Sequence, residues 1–564
     1  MATRPSVQLR RLLAALALAC LAVTAQAATI TIVNNDGPTE GFNDPTPAAP
    51  VGGNPGTTIG QQRINVFLYA AGIWGSILPS DVEIRVNAQF NPLTCTANSG
   101  VLGSCGATSL FRDFPNAPFA ATWYTKAEAD KLAGYDLNPA SADINAQFNS
   151  NVGTTGCLET SGWYYGYDNN EGTKIDLLAV VLHELSHGLG FICFVNLSTG
   201  ALNGGYPDIY SRFLLDAVTG LHWNEESNAQ RAASAISGYN TLWDGAATKF
   251  MAPLTLNDRP VLTLNTPVAG SMNVGTASFG PPLAYPGITG DVVLADDGAA
   301  PTSDACTALV NGGQVAGRIA LVDRGTCAFT IKVKNAQNAG AIAVIVADNV
   351  ASSVPSGMGG SDPTITIPSV RVTKLDGDTL KARLARGLNV TLRLDPALLA
   401  GADNLGRMLM YAPNPIETGS SISHWDPMAS PNLSMEPAIN SDLTTSVDLT
   451  RYLFEDIGWL PRTTGVPVAS PPSAMLLRAN TPNPFAHSTA IRFELPREGD
   501  AELAVYDVSG RLVKRLVRSH LPAGSHVTVW DGTDAAGQRV PSGAYFSRLK
   551  VGEDTGSRCI VMVR

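Results

Sequence analysis

The sequence predicts a multidomain α+β protein, and three stretches of the 564-residue chain lead to that fold class. Residues 173–190 have the apolar spacing of a helix, and this helix carries two histidines. Residues 317–347 read as strand, helix and strand within a region of β-branched runs and turns. Residues 475–564 alternate apolar and polar side chains between turn residues, as a small antiparallel sandwich does. Because one hydrophobic core rarely serves so long a chain, we assign these stretches to separate domains.

The composition narrows the classes of function. The formal net charge of −10 at pH 7 argues against nucleic acid as a partner. The 54 glycines and 37 prolines favour strands, turns and loops over long helices. Beyond residue 28, no apolar run is long enough to cross a bilayer, so we expect no transmembrane segment in the mature chain.

Residues 1–27 are predicted to be a signal peptide. A basic segment at residues 4–11 precedes an apolar core from Leu12 to Val23, and Ala25-Gln26-Ala27 fits an A-x-A cleavage site. A membrane anchor is the alternative, but the apolar run is too short for one. The mature protein is therefore expected to begin near Ala28 and to be exported.

Export makes the cysteines candidates for disulfide bonds. Of the 8 cysteines, Cys20 lies in the predicted signal peptide. Proximity along the chain suggests three pairs and leaves Cys559 unpaired; the pairs are Cys95–Cys105, Cys157–Cys193 and Cys306–Cys327.

The helix at 173–190 carries the strongest functional pattern in the chain. Its sequence includes His183-Glu184-Leu-Ser-His187, followed by a glycine at 190. Two histidines at positions i and i+4 lie on one helix face, so both imidazoles can bind one cation. The glutamate between them projects beside the open metal position, where it can take a proton from metal-bound water. A chance occurrence or a purely structural metal site is the alternative interpretation.

Local signals predict where further elements begin and end. Thr173-Lys-Ile-Asp176 reads as a capping box that opens the helix, and the glycines at 188 and 190 close it. Residues 28–58 are rich in turn residues and read as an irregular lead-in. Periodicity predicts additional helices at 60–77, 404–410 and 445–457, and strands at 82–90 and 142–148.

A catalytic zinc ion usually has three protein ligands and a water molecule, so a third ligand is needed. One large group of zinc peptidases has its third ligand six residues after the second histidine, and in this chain that residue is Cys193. A thiolate could bind zinc there, but in an exported chain we expect Cys193 to form a disulfide. Asp208 would provide a carboxylate ligand, and Glu225 and Glu226 are the nearest downstream glutamates.

The histidines offer a better third ligand. Outside the helix and the predicted sandwich, only His222 and His424 remain of the 7 histidines. His222 precedes a charged segment and reads as a surface residue. His424 lies eleven residues before Met435, and a methionine soon after the third ligand resembles the turn that lies beneath the zinc site of metzincins. We therefore favour His424.

These motifs together resemble leishmanolysin-type metzincins. The resemblance rests on His183-Glu-Leu-Ser-His187-Gly-Leu-Gly-Phe, on Ser-His424-Trp-Asp and on Ser-Met435-Glu-Pro, and it covers 173–193 and 404–460. It implies a zincin (metzincin-like) catalytic domain formed by residues 28–258 and 399–460. It also implies one catalytic zinc ion, with the following roles: His183, His187 and His424 as ligands, Glu184 as the base, and Met435 as the Met-turn residue beneath the metal.

The long interval between the second and third ligands requires an inserted domain. Gly317-Arg-Ile-Ala-Leu-Val-Asp-Arg-Gly-Thr-Cys-Ala-Phe329, followed by Lys332–Ala341, resembles a protease-associated (PA) domain. Its expected extent is 259–398. In relatives such domains are taken to shape substrate access or to bind protein segments, and a passive spacer is the alternative.

A proline- and serine-bearing linker is predicted at 461–474, before the C-terminal sandwich at 475–564. Asn480-Thr-Pro-Asn-Pro-Phe485 and Trp530-Asp-Gly532 resemble FlgD-like immunoglobulin-type repeats and type A C-terminal sorting domains of type IX-secreted proteins. The resemblance implies export and sorting machinery as partners, and a location outside the cell or on its surface.

The expected function is that of a secreted zinc endopeptidase acting on extracellular proteins and peptides, with Glu184 as general base. The alternative is a non-catalytic cell-surface binding or adhesion protein on a zincin scaffold. Calcium is a second candidate cation, at the oxygen-rich Asp168-Asn-Asn-Glu171, although a solvated turn is the simpler interpretation of this segment.

Overall fold

The computed structural model describes residues 27–351, 354–439, 443, 447–459, 476–477, 485, 489–521, 524–552 and 554–562. Nearly all of the predicted signal peptide and the whole predicted linker lie outside these residues. The chain divides into two compact units, residues 1–190 and 191–564. Within the described ranges, no helix combines the length and the apolar character needed to cross a membrane.

The first unit is built on a four-stranded sheet. Its order is β1 (Ile30–Asn34), β2 (Ile84–Asn91), β6 (Ile144–Asn149) and β3 (Gly103–Ala107). The first three strands are parallel, and β3 runs antiparallel at the edge. Every second residue of β2 is buried, which gives the sheet one apolar face.

Two long helices, α1 (Ile59–Ile77) and α3 (Leu177–Leu189), pack on this unit's sheet. The predicted helix at 60–77 and strands at 82–90 and 142–148 are confirmed within two residues. The prediction that residues 28–58 are irregular is wrong in part, because strand β1 lies within them and pairs with β2. The remaining elements of the unit are short: β4 (Leu110–Phe111), β5 (Tyr124–Thr125), α2 (Lys126–Ala133), β7 (Trp163–Tyr164) and β8 (Ile175–Asp176).

The second unit opens with a small sheet in the order β10 (Leu221–His222), β9 (Leu214–Asp216), β11 (Thr241–Trp243) and β20 (Met408–Leu409). Helices α4 (Asn228–Ser234) and α5 (Ala246–Thr255) belong to the same region. The helix predicted at 404–410 is wrong. The Asp403 carboxylate accepts the N–H groups of residues 405 and 407, which makes a turn, and Gly406 has φ +78°.

The middle of the second unit holds an eight-stranded mixed sheet. Its strands are β12 (Asp258–Thr266), β13 (Gly270–Asn273), β14 (Gly275–Thr276), β15 (Ile288–Leu294), β16 (Ile319–Asp323), β17 (Ala343–Ala347), β18 (Ser369–Val372) and β19 (Asn389–Leu399). Helices α6 (Gly312–Val315), α7 (Phe329–Asn338) and α8 (Lys374–Arg383) accompany it. The strand–helix–strand prediction for 317–347 is confirmed by β16, α7 and β17. The first and last strands, β12 and β19, pair antiparallel from Asp258 opposite Leu399 onward.

The second unit ends with helix α9 (Thr450–Ile457) and a two-sheet sandwich. Helix α9 falls within the predicted 445–457. One sheet has the order β21 (Leu476–Leu477), β22 (Thr489–Leu495) and β25 (Gly524–Trp530). The other has the order β24 (Leu512–Leu521), β23 (Gly499–Asp507), β26 (Gly543–Val551) and β27 (Asp554–Met562). Apolar residues from both sheets share one core, so the predicted antiparallel sandwich is confirmed.

One of the three predicted disulfides is confirmed, the pair Cys306–Cys327. The predicted pairs Cys95–Cys105 and Cys157–Cys193 are wrong, because Cys95 is bonded to Cys157. The Thr96 carbonyl accepts the N–H of Leu158 at 2.8 Å, so the residues next to the two cysteines are already joined. Among the described cysteines, Cys105, Cys193 and Cys559 take part in no disulfide, and Cys559 is exposed.

Candidate metal centre

Helix α3 carries the His-Glu-x-x-His pattern, and its start differs from the prediction. The Asp176 carboxylate accepts the N–H of Leu178 at 2.8 Å and caps the helix. The capping box predicted from Thr173 is wrong, because residues 175 and 176 are extended and pair with β7. The helix ends where predicted, at Gly190, whose φ of 130° suits glycine and whose N–H reaches the carbonyls of Ser186 and His187.

Gly188 was expected to help close the helix, but it lies inside it. A Cβ at this position would lie 2.6 Å from Cγ2 of Ile144 and 2.9 Å from Sγ of Cys105. The glycine therefore lets the last turn of α3 lie directly on β6 and β3.

The two histidines of α3 share one face of the helix, as predicted. Their ring centroids are 5.0 Å apart, and one ligand nitrogen of each lies within 4.8 Å of the other. All thirteen residues of α3 are buried, His183 and His187 included. Two buried imidazoles on one face offer the nitrogen donors that zinc prefers.

Glu184 lies between the histidines and is 8% exposed. Burial raises the pKa of this carboxyl to about 8. A cation bound at the adjacent imidazoles would favour the charged carboxylate and so oppose that rise. The edge strand β3 closes on this side chain at Gly103, where a Cβ would lie 3.0 Å from Cγ of Glu184.

His424 lies in the second unit and is 4% exposed. Its Nδ1 is 2.7 Å from the carbonyl oxygen of Ser420. Because a carbonyl only accepts, Nδ1 carries the proton, and the lone pair needed for metal binding lies on Nε2. The backbone around the ring is fixed as well, since Tyr411 donates its N–H to the His424 carbonyl at 2.9 Å.

Met435 is fully buried in the same unit, within a turn closed by the bond from the Glu436 N–H to the Leu433 carbonyl at 3.2 Å. The Met435 carbonyl accepts the N–H of Trp425 at 2.8 Å. The methionine turn therefore lies directly against the residue that follows His424.

The residues after α3 contact the segment 423–425. The ring of Phe191 meets Trp425 edge-on, with centroids 4.9 Å apart. The N–H of Cys193 donates to Oγ of Ser423 at 3.2 Å. Both contacts lie inside the second unit.

The other candidates for a third ligand have structural partners. The Asp208 carboxylate accepts the N–H groups of Phe194 at 2.9 Å and Ser211 at 2.6 Å. His222 is part-exposed and lies near the carboxylates of Glu225 and Asp244. The Glu226 carboxylate accepts the hydroxyl of Thr219 at 2.7 Å.

Cys193 is a free thiol, so the disulfide expected there is wrong. Burial raises the pKa of this thiol well above its ordinary value. Among the described residues, Cys193 belongs to neither group of ligand atoms that lie close enough together to hold one metal ion.

A cluster of three carboxylates in the first unit was not anticipated. Asp130, Asp136 and Asp143 have the spacing of a cation site, but the buried Lys126 occupies their centre. Its Nζ lies 2.6, 2.7 and 2.5 Å from an oxygen of each aspartate in turn. The three partners raise the pKa of Lys126 against its burial, while burial raises the pKa of Asp130 to about 6. We interpret the cluster as an internal ion network, because the ammonium already supplies the positive charge.

In the turn considered for calcium, the Asp168 carboxylate already accepts hydrogen bonds from the same turn. The Asp168 carboxylate accepts the Tyr164 hydroxyl and the N–H of Asn170.

Two stretches of the chain match known domain families. Residues 288–380 match the PA domain, and residues 480–555 match the FlgD Ig-like domain. The PA-domain and FlgD-like resemblances inferred from the motifs are therefore confirmed. The chain is thus a multidomain α+β protein with a PA domain and a C-terminal Ig-like domain.

Curated proteins are similar to this chain over short stretches. It is 37% identical over 123 residues to receptor homology region, transmembrane domain- and RING domain-containing protein 1 of Oryza sativa subsp. japonica, covering 22% of each chain. It is 48% identical over 83 residues to vacuolar-sorting receptor 3 of Arabidopsis thaliana, covering 13% of each. It is 33% identical over 147 residues to the probable lipoprotein aminopeptidase LpqL of Mycobacterium tuberculosis, covering 26% of this chain and 28% of that one. The chain therefore spans less than a third of the length of each relative.

Among solved structures, the chain is similar to BSAP, a zinc aminopeptidase from Bacillus subtilis. The identity is 23%, the coverage is 33% of this chain and 42% of that one, and the TM-score is 0.20. At so low a TM-score, the similarity does not define the fold or the function of this chain. The leishmanolysin-type resemblance stays a prediction, because none of these relatives is described as a metzincin.

Proposed function

We propose that this chain is a zinc-dependent peptidase whose single metal ion is bound by His183, His187 and His424. The observation that carries the proposal is the buried carboxylate of Glu184 between two buried imidazoles on one helix face. A purely structural zinc site needs four closed ligands and has no use for an acid–base group. Burying a charged carboxylate costs free energy unless a nearby positive charge compensates for it, and a cation bound at the imidazoles would supply that charge.

Chain continuity supports His424 as the third ligand. Phe191 follows His187 by four residues, and its ring packs on Trp425, the residue directly after His424. The bond from Nδ1 of His424 to a backbone carbonyl gives the ring the tautomer and orientation typical of metal-bound histidines. Met435 would form the floor of such a site.

Glu184 is the proposed general base. A zinc ion held by His183, His187 and His424 would supply Lewis acidity toward a water molecule and the scissile carbonyl. Glu184 would accept a proton from the attacking water molecule and would return it to the leaving amine. The substrates would be proteins and peptides.

The test is casein hydrolysis by residues 28–564, comparing the wild type with Glu184→Gln at equal zinc content. We expect hydrolysis by the wild type and a loss of at least about a thousandfold in the variant, because the base is gone. Glu498→Gln, an exposed glutamate of the Ig-like domain, is the matched control and should keep full activity. Equal activity of the wild type and Glu184→Gln would disprove the proposed mechanism.

The same preparations distinguish an endopeptidase from an aminopeptidase. We propose internal cleavage, so large casein fragments should appear before free amino acids. The similarity to a probable aminopeptidase makes aminoacyl nitroanilides the natural second substrate. If only terminal amino acids were released, the proposal of a zinc peptidase would stand, but the proposal of internal cleavage would be wrong.

The alternative function is a non-catalytic binding or adhesion protein on the same scaffold. PA and Ig-like domains offer surfaces for such a role. It would be favoured if the wild type bound one zinc ion and yet cleaved neither casein nor nitroanilides.

We also propose that the protein acts outside the cell or on its surface. The Ig-like domain at the C-terminus and the predicted signal peptide support this location. Fractionation of the native cells, with antibody detection of the chain, would test it; a signal confined to the cytoplasm would contradict the proposal.

A further inference from the structure

The pentapeptide Asn-Ala-Gln-Phe-Asn occurs twice in the first unit, at residues 87–91 and 145–149. The two copies lie in the neighbouring parallel strands β2 and β6, in exact register, so each residue lies beside its own copy. The phenylalanines point to the helix side, where both rings lie near Phe67 of α1. The asparagine and glutamine side chains at the alternate positions therefore share the opposite face of the sheet.

This opposite face contains a depression of about 400 Å³, which we call the amide depression. Its volume is within the range of small-ligand sites. Among the described residues that line it, none is charged and none is aromatic. The polar side chains that line it are Asn35, Asn87, Gln89, Ser104, Asn145 and Gln147.

Hydrogen bonds hold some of these side chains in fixed orientations. Nδ2 of Asn87 donates to Oδ1 of Asn145 at 3.1 Å, and Nε2 of Gln147 donates to Oγ of Ser104 at 3.0 Å. An amide carries two N–H donors and an oxygen with two lone pairs, so each side chain still has donor and acceptor capacity toward solvent. Copies on adjacent strands repeat that capacity at the strand spacing of about 4.8 Å.

Such a surface is unfavourable for the sheet itself. Asparagine is depleted in strands, where threonine or another β-branched residue would fit a solvent-facing position better. Residues with a low strand propensity at these strand positions therefore indicate a role in binding rather than in folding.

We propose that the amide depression binds a neutral oligosaccharide. A sugar presents uncharged hydroxyl groups that both donate and accept, which matches fixed amides better than it matches charged or apolar side chains. The neutral lining gives no charge to attract an ion, and the absence of rings gives little apolar surface for a lipid. Because no aromatic platform is present among the described lining residues, we expect weak binding, with a Kd on the order of 0.1–1 mM.

The test is isothermal titration of residues 28–564 with cellohexaose, maltohexaose and N-acetylchitohexaose, with sulfated heparin oligosaccharide as an anionic comparison. We expect at least one neutral hexasaccharide to bind the wild type. The double variant Asn145→Ala/Gln147→Ala should bind it at least tenfold more weakly. Asn98→Ala, an exposed asparagine outside the depression, should bind like the wild type.

Circular dichroism and thermal unfolding would show that the double variant is folded, and Gln89→Ala provides a second, independent removal of one amide. The proposal is overturned if no neutral hexasaccharide binds, if only the sulfated ligand binds, or if the folded double variant and Gln89→Ala both bind as the wild type does. None of these results depends on the zinc chemistry.

Discussion

Gly103 on the edge strand β3 lies against Glu184 on helix α3, so closely that a Cβ on the glycine would be 3.0 Å from Cγ of the glutamate. A Cβ at this distance fits only if a neighbour shifts by a few tenths of an ångström, and that neighbour is the side chain of Glu184 or the ring of Phe148, which would lie at 3.1 Å. The glycine thus fixes where the proposed base lies.

We predict that Gly103→Ala lowers kcat by about ten- to a hundredfold, because a displacement of the base by a fraction of an ångström suffices for such a loss. KM and zinc content should change little. Gly106→Ala on the same strand is the matched control, since a Cβ there meets nothing within 4 Å. Steady-state kinetics with a fluorogenic peptide would decide; equal kcat values for the two variants would contradict the positioning role.

His424→Ala should bind zinc at least about a hundredfold more weakly and lose hydrolysis, because two imidazoles alone form an incomplete site. His222→Ala, which removes a part-exposed histidine, should retain metal and activity. The measurement is zinc stoichiometry by atomic emission after dialysis against a chelator. Full zinc occupancy in His424→Ala would transfer the third-ligand role to another residue.

Asp176→Asn should change how stability depends on pH. Burial raises the pKa of Asp176 to about 6 in the folded protein, above the ordinary value of 3.8. The folded state then binds the proton more tightly than the unfolded state, so the wild type loses stability as pH rises from about 4 through 6. The asparagine can still cap α3 but does not ionise.

Unfolding in urea should therefore find Asp176→Asn more stable than the wild type at about pH 7.5, by about 1–2 kcal/mol after allowance for partial exposure. The difference should vanish near pH 4. A constant difference at both pH values would show that the carboxyl is not the titrating group.

Lys126→Ala should destabilise the first unit by about 3–5 kcal/mol near neutral pH, because it leaves three buried or half-buried carboxylates without their cation. Millimolar calcium or manganese should restore part of the lost thermal stability, since the three oxygens have the spacing of a metal site. Lys174→Ala, an exposed lysine, should show neither effect. Differential scanning fluorimetry with and without the ions is the measurement, and a stable variant indifferent to cations would contradict the assignment.

Replacing both Cys95 and Cys157 by serine should cost about 4 kcal/mol in the chain-entropy treatment, because the bond closes a loop with a sequence separation of 62 residues. Cys105→Ser removes a thiol that is not bonded and should not release a cross-link. Peptide mapping without reduction would test the connectivity directly; a fragment joining Cys95 to Cys105 would refute it.

The features that could be predicted from the sequence are those that depend on the spacing of residues within one helix or strand. The face shared by His183 and His187 follows from helix geometry alone, and the end of α3 follows from the glycine at 190. Alternation predicted the strands of the C-terminal sandwich for the same reason. These features need no knowledge of how distant segments meet.

The failures concern contacts that the chain order conceals. Cys105 is nearer to Cys95 in sequence than Cys157 is, but its strand pairs with β6 and places the thiol under Gly188. The approach of Gly103 to Glu184 depends on that same strand register. The repeated Asn-Ala-Gln-Phe-Asn, in contrast, is visible in the sequence and would have pointed to the amide depression.

The pairing of β12 with β19 has a consequence for how the chain could have been assembled. Asp258 lies opposite Leu399, and the Asn257 carbonyl accepts the N–H of Ala400 at 2.9 Å, so the intervening polypeptide leaves and rejoins its host at adjacent points. For the flanking segments, the inserted residues therefore act like the loop of a hairpin. The β12–β19 hydrogen bonds at the base of the insertion offset the conformational entropy lost when this loop closes. A module with such neighbouring ends can be gained, lost or exchanged while the flanking segments keep their places.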